Sequence, residues 1–257
     1  MKFTCSLVIA IFIAVAMPAG AQTARPQMQT FQSSAGPIHI TPIEHASTLI
    51  EAGGKVIYVD PAKTPNFPGN FTGLPPADLI LISDIHSDHM DPAIIAQLSK
   101  ADTVIIAPPA VVKTVTTAKP LSNGETTHWG NWTIHAIPMY NMVRGPAPGQ
   151  FFHPKGRGNG YVLTYGGKRI YFSGDTEGIP EMRALKNIDV AFVCMYTRPT
   201  MSPEEAADAV LAFHPKVVIP YHYGTSDPRI FKKKLEGSGI DVRLLNWYPV
   251  KPEKPIK

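Results

Sequence analysis

The sequence predicts an α/β protein with two β-sheets and helices on their outer faces. Three observations carry this. Strand-like runs with a hairpin between them crowd the segment from Ile38 to Val59. Beyond it, short apolar runs alternate with helical patterns, which fits helix-covered sheets better than one all-parallel sheet. With 257 residues, 44% hydrophobic and 17% charged, the chain suits one large domain or two small ones and is too apolar to be disordered.

The elements follow in order. Lys2 precedes an apolar run from Leu7 to Met17, and Ala19-Gly20-Ala21 offers small residues for cleavage before Gln22. Residues 1–21 therefore read as a signal peptide. The run falls short of the roughly 20 apolar residues a membrane-spanning helix needs, so an uncleaved anchor is the alternative and no span is expected after cleavage. Periplasmic or secreted localisation follows. Residues 22–36 are polar and Pro-containing and read as a flexible tether, and 37–250 as one domain. Strands are expected at 38–43, 47–51 and 55–59, with Gly53-Gly54 as the hairpin turn and Asp60-Pro61 as its end. A loop rich in Pro, Gly and Asn runs from Thr64 to Pro76.

Asp78 to Ser83 is a nearly continuous apolar run, as in a strand buried on both faces. Helices are expected at 92–100 and 110–118, and strands at 103–107, 132–138, 160–165 and 169–173. Ser202-Pro203-Glu204-Glu205 is a capping box with Pro at the first helical position, opening a helix through Phe213. A strand at 216–220, a helix at 229–236 and a strand at 242–246 complete the pattern. No internal repeat is visible in 37–250.

The charge of +4 is modest and carries no nucleic-acid signature. Cleavage would leave Cys194 as the only cysteine, which rules out an intramolecular disulfide and reads as a small buried hydrophobe.

The chemistry concentrates at strand ends. Asp84-Ile85-His86-Ser87-Asp88-His89 follows the apolar strand directly and holds two imidazoles and two carboxylates within six residues. Zinc takes such N and O ligands, and neighbouring dissimilar ligands such as Asp88 and His89 can face two metals. A polar surface loop is the bland alternative. Ser173-Gly174-Asp175-Thr176 ends a second strand, its alternative being a tight turn. Pro220-Tyr221-His222 ends a third, its alternative being a satisfied core histidine. Three strand ends, each delivering a ligand type, point together to a metal centre.

On these residues the chain resembles the metallo-β-lactamase superfamily, and most the branch of zinc-dependent hydrolases that includes the ascorbate-6-phosphate lactonases. The likeness spans essentially 37–247. The superfamily's His-x-His-x-Asp-His reads here Asp84-x-His86-x-Asp88-His89. Its bridging acid matches Asp175 and its last histidine His222, while His45 and Asp60 match positions read as supporting. Two positions depart: Asp84 stands where a histidine is usual, and Asn141 follows Pro138-Met139-Tyr140 where another is usual. His153 is the candidate replacement, or else a surface histidine in a mobile loop.

The resemblance implies a four-layer αββα sandwich with the site along one edge. Asp84, His86 and His153 would hold one metal, and Asp88, His89 and His222 a second, with Asp175 between them. Zn2+ is the expected ion, one or two per chain, with Mn2+ or Fe as alternatives. A metal-bound hydroxide would attack a small ester, lactone or phosphodiester, with Asp88 orienting the water or passing a proton. Lys155 and Arg157, in a Gly-rich loop, are candidates for gripping an anionic substrate, and Tyr223 for lining the pocket. The competing reading is a non-hydrolytic metal-binding protein that keeps the fold with a degenerate site.

Overall fold

The computed structural model describes residues 27–249. The leader read at 1–21 lies outside the described residues.

The first sheet runs in sequence order through β1 (Gln29–Ser33), β2 (Gly36–Glu44), β3 (Ser47–Ala52), β4 (Lys55–Val59), β5 (Ala77–Leu81), β6 (Ser99–Ala107) and β7 (Lys119–Pro120). The second runs through β8 (Thr126–Trp129), β9 (Trp132–Met139), β10 (Gly158–Tyr165), β11 (Lys168–Phe172), β12 (Val190–Cys194), β13 (Val217–Tyr221) and β14 (Asp241–Val242). Five helices accompany them among the described residues: α1 (Pro92–Leu98), α2 (Pro109–Val112), α3 (Pro180–Arg183), α4 (Pro203–Phe213) and α5 (Pro228–Lys234).

Side-chain alternation shows why two sheets stack. Along β3 to β5, Ile50, Ile57, Val59, Leu79 and Leu81 point into one cluster with Trp132, Ile134, Tyr161 and Phe172 of the other sheet. Their neighbours Leu49, Tyr58 and Ile80 point the opposite way, against Ile94, Ile95 and Leu98 of α1 and Val111 of α2. Strands buried on both faces need no polar alternation, which explains the continuous apolar runs. Ala206, Ala207, Val210 and Phe213 of α4 join the main core. The layers are helix, sheet, sheet, helix, as the αββα expectation requires.

In both sheets, parallel pairing brings strand ends to one edge: β4, β5 and β6 in the first, and β11, β12 and β13 in the second. The sheets repeat one device. Gly53-Gly54 and Gly166-Gly167 turn hairpins with positive φ at all four glycines. An aspartate then ties the following strands together. Asp78 accepts from Val56 N at 2.9 Å and Lys100 Nζ at 2.7 Å. Asp189 accepts from Arg169 N at 2.9 Å and Lys216 Nζ at 2.8 Å.

Several expectations are corrected. The tether read at 22–36 is not flexible at its end, because Gln29–Ser33 forms β1 on β2 with Phe31 in the core. The helix expected at 110–118 stops at Val112 and continues as turns. The strand expected at 242–246 is only Asp241–Val242. Strand β12, Val-Ala-Phe-Val-Cys, is buried throughout and was missed, as was the short α3. The capping box is present as read: Ser202 Oγ accepts from Glu205 N, and Glu205 accepts from Ser202 N.

Candidate metal centre

Strand ends deliver the site. Asp84 to His89 follow β5, Asp175 follows β11 and His222 follows β13, while His45 follows β2 and Asp60 follows β4. Three of these residues hold left-handed backbones: His45 (φ 55°), Asp60 (φ 47°) and His222 (φ 47°). Such strain, about 1–3 kcal/mol per residue, persists only where the surroundings fix it. Here His222 N donates to His45 O at 3.1 Å, and Asp60 N donates to Leu81 O at 2.9 Å.

His89, Asp175 and His222 are all buried and converge. His89 Nε2 lies 3.2 Å from His222 Nε2 and 3.3 Å from Asp175 Oδ2, and His222 Nε2 lies 3.3 Å from Asp175 Oδ1. Asp88 Oδ2 lies 3.4 Å from His222 Nε2. Four donors at about 2.05 Å around a tetrahedral ion would stand about 3.3 Å apart. Asp175 Oδ1, which faces His222 Nε2, is buried without a hydrogen bond. These donors therefore fit a divalent cation in spacing and in chemistry.

The field says the same. Burial opposes charge on His89, but the carboxylates of Asp175, Asp60 and Asp88 outweigh it and hold its pKa well above the usual range. Burial likewise opposes charge on Asp175, and His222 and His89 outweigh it, holding its carboxyl well below the usual range. A positive charge is wanted at this point, as a proton or as a metal.

Asp60 and His45 stand beside the candidate ligands, and His45 also lies within metal-holding reach of Asp88 and His222. Asp60 Oδ2 lies 2.9 Å from His89 Nδ1, and both its oxygens accept from Ser83. A carboxylate can only accept, so Nδ1 carries a proton, and Nε2 is the nitrogen whose proton a metal would replace. Both ring nitrogens of His45 have hydrogen-bond partners. Tyr248 Oη accepts from Gly224 N at 2.7 Å and so turns its own proton toward His45 Nδ1 at 2.8 Å. His45 Nε2 then donates to Asp88 Oδ2 at 3.2 Å. Burial, then His222, push the His45 pKa down to about 3, so its ring is neutral.

His153 is buried at the site and is not a surface residue. Asn141 is what places it. The Asn141 amide nitrogen donates to Pro199 O and Glu177 Oε1, which makes its Oδ1 the acceptor. That oxygen takes His153 N and His153 Nδ1, each at 2.8 Å. His153 Nε2 is left facing Asp175 Oδ2 at 3.2 Å and Asp84 Oδ2 at 3.9 Å. Glu177 supports this loop by accepting from the backbone of Met142, Val143 and Arg144. The sequence reading missed Glu177 and Asn141 as positioning residues. The Pro-Met-Tyr-Asn run was their only signal.

The other half of the site is closed. Arg157 Nε donates to Asp84 Oδ1 at 3.0 Å and Nη2 to Asp84 Oδ2 at 2.8 Å. Nη2 also lies 3.2 Å from His86 Nε2, while His86 Nδ1 lies 3.0 Å from Asp84 Oδ2. Of the two cations read as candidates for gripping an anionic substrate, Arg157 is paired with Asp84 through Nε and Nη2, and Lys155 Nζ is paired with Glu181 at 2.7 Å. Tyr223 spends its hydroxyl on Leu245 O at 3.1 Å. Cys194 is buried, and burial pushes its thiol up to about 11, in keeping with a packing role.

The sequence profile described as the Beta-lactamase superfamily domain matches residues 39–222. A UPF0173 metal-dependent hydrolase of Pelotomaculum thermopropionicum is 31% identical over 223 residues, 80% of this chain and 96% of that protein. Another, of Deinococcus radiodurans, is 31% identical over 181 residues, 65% of this chain and 76% of that protein. Among solved structures, a protein of Parabacteroides distasonis assigned as a metal-dependent hydrolase is 40% identical, covers 85% of this chain and 98% of its own, and superposes with a TM-score of 0.80. The metallo hydrolase Igni18 of Ignicoccus hospitalis, 23% identical with a TM-score of 0.64, shares the fold; it covers 85% of this chain and 97% of its own. Profile, relatives and geometry agree: the chain belongs to the metallo-β-lactamase superfamily and, within it, to the UPF0173 family of metal-dependent hydrolases.

Proposed function

We propose that the chain is a zinc hydrolase of small esters, lactones or phosphodiesters that acts outside the cytoplasm. The observation that carries the metal-hydrolase reading is the buried set His89, Asp175 and His222, whose donor atoms converge at 3.2–3.3 Å. A bound divalent cation supplies Lewis acidity and an activated water at neutral pH. The chain's own residues do the rest. Asp60 and His45 hold His89 and Asp88 in place. Asp88, with 26% of its side chain exposed, stands at the mouth and accepts or returns a proton during turnover. His45, Phe67 and Tyr248 form an aromatic wall behind it, with the His45 and Phe67 rings stacked at 3.7 Å. The leader read at 1–21 supports export, and no helix among the described residues is long and apolar enough to cross a membrane.

The test is turnover by the metal-loaded protein on a panel of lactones, aryl esters and bis-aryl phosphodiesters, with His222→Ala and Asp88→Asn alongside. The expected result is turnover on at least one class, lost in His222→Ala and reduced in Asp88→Asn. N-terminal sequencing of protein from the periplasm or medium should begin at Gln22. The competing reading, a metal binder without turnover, draws on the closed Asp84–Arg157 pair. It is favoured by a loaded protein that is inert across the panel.

A further inference from the structure

We propose that the Arg157 guanidinium stands in for a metal ion at Asp84 and His86, so that the centre takes one metal ion, at His89, Asp175 and His222. This rests on the metal-hydrolase reading above.

The two halves of the site differ in what they leave unsatisfied. Around His89, donor atoms face one another, and Asp175 Oδ1 is buried without a hydrogen bond. Asp84, His86 and His153 also bring donor atoms together, but here the carboxylate is already paired with a cation. Both oxygens of Asp84 take the Nε–Nη2 fork of Arg157. His86 Nε2 faces Nη2, so His86 Nδ1 carries the proton toward Asp84. His153 Nε2 is buried without a hydrogen bond and stands 3.9 Å from Asp84 Oδ2. An ion entering here would have to break a bidentate charge pair whose carboxylate is fully buried.

Placement of the guanidinium is built into the backbone. Gly158, the next residue, lies so close to the end of β5 that a Cβ there would meet Ser83 O at 2.8 Å. Arg157 is therefore delivered beside Asp84 by two strands in contact, not by a swinging loop. The same geometry accounts for Asp84 itself. A carboxylate matches the flat guanidinium fork, whereas a histidine at this position would offer one lone pair and no charge. Asp84 is the counter-ion of Arg157. Nη1 makes no hydrogen bond among the described residues and is the edge left to meet a substrate oxygen.

The experiment strips the full chain with a chelator, reloads it with Zn2+ or Mn2+, and counts ions per chain by elemental analysis. Electron paramagnetic resonance of the Mn2+ form reads the same question independently. Wild type should bind one tight ion and give the six-line signal of an isolated Mn2+. Arg157→Ala, and the double variant Asp84→His with Arg157→Ala, should bind two and show exchange coupling. Arg157→Met, which keeps bulk without charge, controls for loss of packing, and circular dichroism checks the fold of each. Two ions in wild type overturn the proposal, as does one ion in both folded Ala variants. No ion in wild type overturns it together with the hydrolase reading. One ion without turnover on any substrate overturns the hydrolase reading alone and leaves Arg157 as the tethered cation.

Discussion

His89 Nδ1 lies 2.9 Å from Asp60 Oδ2, and this contact aims the other ring nitrogen at His222 and Asp175. Asp60 touches no proposed metal position, yet it decides which nitrogen of His89 has a lone pair to give. Asp60→Ala should weaken metal binding about 10- to 100-fold, the usual effect of losing a partner that orients a ligand. Calorimetric titration with Zn2+ checks this. An unchanged Kd would show that His89 needs no such partner.

Asn141 should matter through His153. Asn141→Ala strips two hydrogen bonds from His153 and one from Glu177 inside a buried cluster. A stability loss of about 1–3 kcal/mol is expected from unpaired buried polar groups, together with a lower kcat. Urea unfolding and steady-state kinetics measure the two effects. A variant as stable as wild type would remove Asn141 from this role.

Metal removal should lower thermal stability. An ion held only by the native state at 100 times its Kd adds about 2.7 kcal/mol. Chelator should therefore reduce Tm by several degrees, and added Zn2+ should restore it. In His222→Ala the melting curve should not respond to either treatment.

Asp78 gives a pH prediction away from the metal. Its hydrogen bond from Lys100, then that from Val56 N, hold its carboxyl below the usual 3.8. A depressed folded pKa means stability that is present above the unfolded pKa and lost as pH falls through the folded one. The lysine side chains are 37% and 53% exposed, so screening keeps the contribution near about 1 kcal/mol. Asp78→Asn should be less stable than wild type at pH 7, and the two should converge as pH falls below 3.8 and through the lowered folded pKa. Parallel curves across the whole range would contradict this.

Much of the fold was legible because its strands are buried on both faces and stand out as apolar runs between Gly and Pro. Asp84 to His89, Asp175 and His222 stood out because each follows such a run. Strand β12, Val190–Cys194, escaped although it is as long as β5 and equally buried. The roles of Asn141 and Glu177 escaped for a physical reason. Each acts through contacts about 12 or 35 residues away in the chain, which no local pattern encodes. Arg157 was legible as a cation but not as the partner of Asp84, which lies 73 residues earlier.

The centre is divided between the sheets: Asp84 to His89 come from the first, and His153, Asp175 and His222 from the second. Neither sheet alone carries His89, Asp175 and His222 together. A chain that has formed one sheet, or both without stacking them, has no complete pocket for an ion. Metal uptake therefore reports the closing of one half of the molecule on the other. Because the contacts that close it join residues as far apart as His89 and His222, that event should be slow, and the appearance of the metal signal during refolding should lag behind the formation of secondary structure.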